Sequence, residues 1–203
     1  EVALKAAEVA DVRVQIARLY NVLGMVFTAD GNFEKAIEYK VQSLERWRAI
    51  GNKMYIAAVT NNVGENYRIM GDYQQALQYY QSSLEMAQQV HDVSQVVVCL
   101  NNIGGAYVGM GEYDLAIQAL EQIFALSKEK TFTDAESLAF LAEAYLGKNN
   151  LEKALAAAQD AVSLCIAGDE APFGGNAWRV LGLVAGRLGQ QVTVDERVYD
   201  APA

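Results

Sequence analysis

The sequence predicts an all-α fold of repeated antiparallel helix pairs, and three observations support this prediction. Apolar residues recur at helical spacing on both sides of Gly71-Asp72, which is the pattern of one helical hairpin over residues 61–84. A residue pair ending in a small residue recurs at intervals of 40, 40, 38 and 40 residues: Leu23-Gly24, Val63-Gly64, Ile103-Gly104, Leu141-Ala142 and Leu181-Gly182. A turn followed by an alanine recurs in the same register: Gly31 to Phe33 with Ala36, Gly71 to Tyr73 with Ala76, Gly111 to Tyr113 with Ala116, and Asn149 to Leu151 with Ala154.

Small residues mark the closest contact within each predicted hairpin. Gly64 shares one face of the first helix with Val63 and Tyr67, and Ala76 lies on the facing stripe of the second. Gly71 between them suits the left-handed conformation that ends a helix. We therefore expect the two backbones to approach at Gly64 and Ala76, so that a large side chain at Gly64 would push the helices apart.

The same register divides the chain into helices. It predicts a single array, 1–203, with repeats at about 12–52, 53–92, 93–130 and 133–168 and a partial repeat at 172–203. First helices are expected near 12–29, 54–70, 93–110 and 134–147, and second helices near 33–50, 73–90, 113–127 and 151–166. Thr133 and Glu136 have the spacing of a capping box, and Pro172 is expected to open a ninth helix that ends at Gly189. Residues 1–11 are predicted to end a second helix of a preceding repeat, because the register aligns Ala10-Asp11 with Val90-His91.

The tail, 190–203, has the weakest helical signal. Val192, Thr193, Val194 and Val198 are β-branched, and Val194 stands where the other repeats have alanine. By register, a covering helix should begin near Gln191, and this composition suits it poorly. We expect the tail to cover the ninth helix only partly and to leave an exposed apolar strip that favours self-association: Leu181, Val184, Ala185 and Leu188.

Composition limits the classes of function. The chain has 203 residues, 52% of them apolar, and a net charge of −9 without a basic run, which argues against nucleic-acid binding. No uninterrupted apolar run reaches the roughly 18 residues of a membrane span, and the first residues lack the pattern of a signal peptide. These features predict a cytoplasmic protein without membrane contact. Because residue 1 is glutamate, we expect the chain to be part of a longer protein.

Candidate catalytic and metal-binding residues lack the partners that chemistry requires. His91 falls at a predicted turn with no nucleophile or orienting group at a suitable spacing. Glu136 and Glu143 are more typical of solvated helix charges than of an acid–base pair. Cys99 and Cys165 lie in different repeats and are expected to be reduced structural thiols. The sequence therefore predicts a non-enzymatic protein without metal or cofactor.

The repeated positions resemble the tetratricopeptide repeat over nearly the whole chain. The resemblance includes an aromatic residue in the first helix of four repeats: Phe27, Tyr67, Tyr107 and Tyr145. The interval of 40 exceeds the usual length of about 34. It is most similar to the long repeats of kinesin light chains, of peptide-binding polarity adaptors and of bacterial signalling and transcription regulators. The resemblance implies a right-handed α-solenoid whose first helices line a concave groove.

A row of asparagines lies on the groove side of the predicted first helices. Asn21, Asn61 and Asn101 share one repeat position, and Asn62 and Asn102 share the next. A carboxamide donates and accepts hydrogen bonds, so it can pair with a peptide backbone of any sequence. The resemblance makes Asn62 and Asn102 the ligand-binding position, while bonding to neighbouring helices is the alternative for the row and the preferred role for Asn21.

The register places further side chains in the same groove, and their charges nearly balance. They are Arg18, Met25 and Thr28; Glu65, Arg68 and Ile69; Val98, Gly105 and Val108; Glu136, Glu143 and Leu146; and Arg179, Leu183 and Arg187. A near-neutral groove favours a ligand with apolar anchors and a few charges.

Two functions are compatible with these observations. The first is a protein–protein interaction module that binds a peptide segment of a partner in the groove. The second is a structural or regulatory spacer within a larger signalling or transcription-regulator protein, which contacts neighbouring domains or forms a homodimer through exposed terminal helices.

Overall fold

In the computed structural model, the described residues are 2–126, 135–167, 175–189, 191–194 and 197–199, with side chains described from residue 11 onward except at 197–199. They form antiparallel helix pairs followed by two short strands. The helices are α1 Val2–Ala29, α2 Phe33–Ile50, α3 Lys53–Ile69, α4 Tyr73–Gln89, α5 Val93–Met110, α6 Tyr113–Leu126, α7 Ala135–Gly147, α8 Leu151–Ala167 and α9 Gly175–Leu188, and the strands are β1 Val192–Val194 and β2 Arg197–Tyr199. The chain forms two compact units, residues 1–99 (unit 1) and residues 100–203 (unit 2).

The predicted bounds of α2 to α8 agree with the structure to within one residue. The turns explain this accuracy, because each of the six described turns between helices has a residue in the left-handed conformation, and in five of them the next residue caps the following helix through its side chain. Gly71 has φ 81°, and the Asp72 carboxylate accepts the N–H of Gln75 at 3.1 Å to cap α4. His91 takes the left-handed position at φ 55°, as an exposed turn residue. Thr133 and Pro172, predicted to begin helices, lie outside the described residues.

The prediction for the start of the chain is wrong. Residues 2–29 form one continuous helix, with no turn at Ala10-Asp11. The reason lies in two positions. Asp11 stands where Gly51 has φ 79°, and Val12 stands where the Asn52 side chain accepts the N–H of Tyr55 at 3.2 Å. Valine cannot cap a helix, so nothing in this stretch stops the helix from running on.

The close contact predicted at Gly64 is confirmed in unit 1. A Cβ at Gly64 would lie 2.8 Å from Cε1 of Tyr80 and 3.1 Å from the carbonyl oxygen of Ala76. Tyr80 is fully buried, as are Ala17, Trp47 and Val63 in the adjoining cores. The same contact recurs in unit 2, where a Cβ at Gly104 would lie 2.6 Å from Leu120.

The end of unit 2 differs from the prediction. Val192 and Val194 belong to the buried core, at 4% and 2% exposure, and Leu181, Val184 and Ala185 of α9 are buried with them. The chain achieves this as an antiparallel pair of strands, β1 with β2, and Gln159 Nε2 donates to the carbonyl oxygen of Thr193 at 2.6 Å. Alternate β-branched residues place both valines on one face of a strand. The expected exposed strip on α9 is therefore absent among its described residues.

One described helix has the composition of a membrane span. α5, Val93–Met110, reaches a mean hydropathy of 1.2 over 18 residues, and half of it is buried inside the protein. The search for uninterrupted apolar runs missed it because Gln95, Asn101 and Asn102 interrupt the run. Burial against other helices accounts for this hydropathy in the manner of a core helix.

Each unit contains one cysteine. Cys99 and Cys165 are reduced and buried. Burial raises the pKa of the Cys99 thiol, although hydrogen bonds with Ser83 and Gln95 oppose the shift. Both thiols are therefore shielded from solvent.

Candidate functional site

The predicted groove residues of α1 are exposed or partly exposed. The Arg18 guanidinium donates from Nη2 to the Tyr55 hydroxyl at 2.9 Å and lies 5.5 Å from the centre of its ring. Met25 is 54% exposed, and Asn21 Nδ2 lies 3.9 Å from its sulfur. Arg18 is thus held against α3, while Met25 offers apolar surface.

Two neighbouring asparagines of α3 have different environments. Asn61 is 5% exposed, so its side chain belongs to the interior of unit 1. Asn62 is half-buried, and no described residue hydrogen-bonds its carboxamide. Its main-chain carbonyl oxygen accepts from Lys40 Nζ at 3.0 Å. Of the two, Asn62 is the one whose carboxamide can meet a ligand.

The predicted charges of α3 neutralise each other. Arg68 forms a two-pronged ion pair with Glu65, at 2.8 Å from Nε and 2.6 Å from Nη2. The Tyr80 hydroxyl donates to the same carboxylate at 2.8 Å. Burial first, and then the Glu65 carboxylate, raise the pKa of Tyr80. Glu65 therefore joins two helices and is not a free charge for a ligand.

Lys40 forms a buried polar cluster that the sequence analysis missed. Its ammonium donates to the Thr28 hydroxyl, the Asn62 carbonyl oxygen and Asn66 Oδ1, each at 3.0 Å, and so uses all three protons. Burial lowers the pKa of Lys40 to about 8, although the Glu65 carboxylate opposes the shift. The sequence could have predicted the burial of Lys40. It occupies the same repeat position as Tyr80, and this position faces the small residue of the first helix, Gly24 for Lys40 and Gly64 for Tyr80.

Asn101, the first asparagine of the row in unit 2, stabilises the packing of two helices. Asn101 is 5% exposed, accepts from the Ser137 hydroxyl at 3.0 Å and donates to Glu136 at 3.3 Å. Asn101 therefore bonds to a neighbouring helix, which is the alternative to ligand binding for this row. Asn102 is half-buried. Gly105 lies beneath the ring of Phe140, whose Cζ would be 2.8 Å from an added Cβ, so Gly105 is not open groove surface.

A cleft in unit 2 brings several predicted groove residues together. It has a volume of about 280 Å³ and is lined by Tyr113, Glu143, Leu146, Gly147, Leu183 and Arg187. Four of these side chains belong to the predicted set, two from α7 and two from α9. Glu143 also accepts from Arg179 Nη2 at 2.6 Å, which links the same two helices. The cleft therefore combines apolar side chains with a carboxylate and a guanidinium.

Repeated antiparallel helix pairs with small residues at each contact define an all-α repeat protein of the solenoid class. Models of the tetratricopeptide repeat match residues 15–89, 55–129 and 135–165. The chain belongs to the tetratricopeptide repeat family, and its repeats are those of a protein-interaction module. The resemblance seen in the sequence is thereby confirmed.

Solved structures show the same fold. BtubC (BKLC) from P. vanneervenii superposes with a TM-score of 0.65 at 21% identity, over 75% of this chain and 64% of that one. MamA (41-end) from Desulfovibrio magneticus RS-1 gives 0.59 at 24% identity, over 85% of both chains. The apo form of RapI gives 0.68 at 17% identity, over 85% of this chain and 49% of that one. The chain thus spans less than two thirds of BtubC and about half of RapI, and no curated protein matches its sequence.

Proposed function

We propose that the chain binds an extended peptide segment of a partner protein, with the cleft of unit 2 receiving an apolar side chain of that peptide. The observation that carries the proposal is the convergence of Glu143, Leu146, Leu183 and Arg187 on one cleft. Small-molecule and peptide sites commonly combine an apolar surface with a few polar groups that fix orientation. The cleft has both components.

Polar contacts to the peptide backbone are a second component. In unit 1, the half-buried Asn62 has a carboxamide free of described partners, and the exposed Met25 and Ile69 belong to the same predicted face. Asn102 has the same repeat position in unit 2. A carboxamide at either position suits sequence-tolerant binding, because the peptide backbone has the same donors and acceptors at every residue.

One argument for the alternative function, a structural or regulatory spacer, no longer holds. It relied on an exposed apolar strip at the end of the array, and Val192 and Val194 cover that part of α9. Peptide binding is the function that the described side chains support best.

The test begins with a display library of random 12-residue peptides selected against the 203-residue chain. One selected peptide is then labelled, and its affinity is measured by fluorescence anisotropy. We expect Leu183→Glu to weaken binding by at least tenfold, because a charge would replace apolar surface in the cleft. Leu164→Glu on α8 is the matched control, since Leu164 has similar exposure outside the cleft, and it should leave affinity unchanged.

The asparagines are tested with the same peptide. Asn62→Ala and Asn102→Ala, alone and together, should keep the melting temperature and weaken binding by roughly 2- to 10-fold each, the equivalent of about 0.5–1.5 kcal/mol per lost hydrogen bond. Failure to enrich any peptide, or equal losses in Leu183→Glu and Leu164→Glu, would contradict the proposal. A fall in melting temperature without a change in affinity would show that the asparagines are structural.

A further inference from the structure

An apolar stripe runs along the exposed face of α1. It consists of Val12, Ile16, Leu19, Leu23 and Val26, which follow one another at intervals of 4, 3, 4 and 3 residues. Val12, Leu19 and Val26 are each 57% exposed, Ile16 is 39% exposed and Leu23 is half-buried. Alternation of three and four residues keeps apolar side chains in one line along a helix, and it is the spacing by which two long helices pack together.

The equivalent stripe of α3 shows what such a surface requires. Forty residues further on, Ile56, Val59 and Val63 are buried in a cluster that includes Leu44 and Trp47 of α2. A stripe at this position in a first helix is therefore covered by another helix. Among the described residues, none covers the stripe of α1 in this way.

The stripe of α1 differs from that of α3 in ways that favour a long, straight partner. Val12 and Val26 stand where α3 has its capping Asn52 and the buried Asn66, so the apolar surface extends further in both directions. The helix also continues back to Val2 through the position where later repeats turn. With 28 residues at about 1.5 Å each, α1 is roughly 42 Å long. Residues 2–10 thus lengthen this helix and do not fold back over the stripe.

We infer that α1 pairs with α1 of a second copy of this chain, stripe against stripe, about a two-fold axis. A second copy supplies a helix of the same length with the same spacing, so the surface is complementary to itself. Charge supports this partner. The whole chain carries −9, but the charged side chains described on α1 are Asp11, Arg13 and Arg18, so two acidic molecules meet here with little repulsion.

The oligomeric state of the 203-residue chain tests this inference. Light scattering after size exclusion, from 1 to 100 µM protein, should show the mass doubling from 22.2 kDa as concentration rises. Ile16→Glu with Leu19→Glu should abolish this doubling without changing the circular dichroism spectrum, because both side chains are exposed in the single chain. Leu115→Glu with Leu164→Glu is the matched control, with two similarly exposed leucines on α6 and α8, and it should still dimerise.

Crosslinking keeps the test decisive if the glutamate variant folds poorly. Leu19 is the midpoint of the stripe, so Leu19→Cys lies at the axis for either direction of pairing and should form a disulfide with its copy, since the native cysteines are buried. Val12→Cys alone forms a disulfide only if the helices are parallel. In a mixture of Val12→Cys with Val26→Cys, a disulfide that joins position 12 of one copy to position 26 of the other, identified by mass spectrometry, forms only if they are antiparallel. A chain that stays at 22.2 kDa at 100 µM overturns the inference, as does crosslinking of Leu115→Cys as efficient as that of Leu19→Cys.

Discussion

The two units fill the same buried repeat positions with different chemistry. In unit 1, three positions hold polar side chains: Lys40 and Tyr80, Ser43 and Ser83, and Asn66. In unit 2, the corresponding positions hold aliphatic side chains: Leu120 and Ala158, Ile123 and Ala161, and Ala106 and Ala144. The Ser43 and Ser83 hydroxyls each donate to a carbonyl oxygen of the preceding helix at 2.7 Å, those of Ala17 and Ala57. One backbone register thus accepts an ammonium, a hydroxyl or a methyl group.

The difference predicts unequal sensitivity to single changes. A buried hydrogen bond contributes little net free energy, but losing one partner leaves the other desolvated and unpaired. Unit 1 should therefore depend on matched donors and acceptors and respond to pH. At the same positions, unit 2 depends on apolar area and packing, which do not titrate. Three predictions test this contrast.

The largest loss of stability is expected at Gly64, the small residue of a first helix, a position at which the two units are alike. Gly64→Leu should lower the free energy of unfolding by about 3 kcal/mol or more, because its first carbon already meets the Tyr80 ring and the Ala76 carbonyl oxygen. Urea unfolding followed by circular dichroism measures the change. Gly186→Leu on α9 is the control, since an added Cβ there meets nothing within 4 Å, and it should be neutral or slightly stabilising. Equal stability of the two variants would contradict the close contact.

The second effect concerns Lys40 and is expected only in unit 1. Because burial lowers its pKa from 10.5 to about 8, between these values the folded protein has released a proton that the unfolded chain still holds. The free energy of unfolding should therefore rise with pH across this window, by up to about 3 kcal/mol, at roughly 1.4 kcal/mol per pKa unit. Below pH 8 the charge is present in both states, so the full cost of burying it remains.

Lys40→Met isolates this contribution, because methionine keeps an unbranched chain and removes the charge. Unfolding of the parent and the variant is compared at pH 7.0, 8.0, 9.0 and 9.5, so that titrating tyrosines and thiols cancel in the difference. We expect the variant to lose the rise above pH 8. At pH 7 the loss of the hydrogen bonds to Thr28, Asn62 and Asn66 offsets what is gained by no longer burying a charge. Parallel curves for the two proteins would show that Lys40 keeps its ordinary pKa.

The smallest effect is expected at Tyr80, the equivalent of Lys40 in the second repeat. Tyr80→Phe removes a hydrogen bond to the Glu65 carboxylate and should lower the free energy of unfolding by about 1.5–3 kcal/mol, the range for bonds to charged groups. Tyr107→Phe is the matched control, because this half-buried tyrosine makes no described hydrogen bond through its hydroxyl, and it should change little. A Tyr80→Phe protein as stable as the parent would mean that water replaces the phenol at Glu65.

The sequence predicted the helices because their ends depend on local chemistry. Gly71 and Asp72 determine a turn and a cap without help from the rest of the fold, so the bounds of α2 to α8 could be obtained from the register alone. The contact of Gly64 with Ala76 could also be predicted, since spacing places both on facing stripes. The cleft residues of α7 and α9 followed from the same spacing.

Features that depend on several helices at once were missed. Glu65 and Arg68 were expected to face a ligand, but they pair with each other, and the Tyr80 hydroxyl from the next helix also donates to Glu65. The Lys40 ammonium finds its three acceptors on two other helices, a match that spacing along the sequence does not reveal. In the tail, three residues of Val-Thr-Val are too few for periodicity to distinguish a strand from a poor helix.

The two buried cysteines allow the opening of each unit to be measured separately. A thiol shielded from water reacts with a disulfide reagent only after the surrounding helices open, so its labelling rate measures how often that opening occurs. Cys99 lies in unit 1 and Cys165 in unit 2. A single labelling experiment on the unmodified chain, followed by mass spectrometry of the two peptides, therefore compares the opening of the polar and the aliphatic unit under identical conditions.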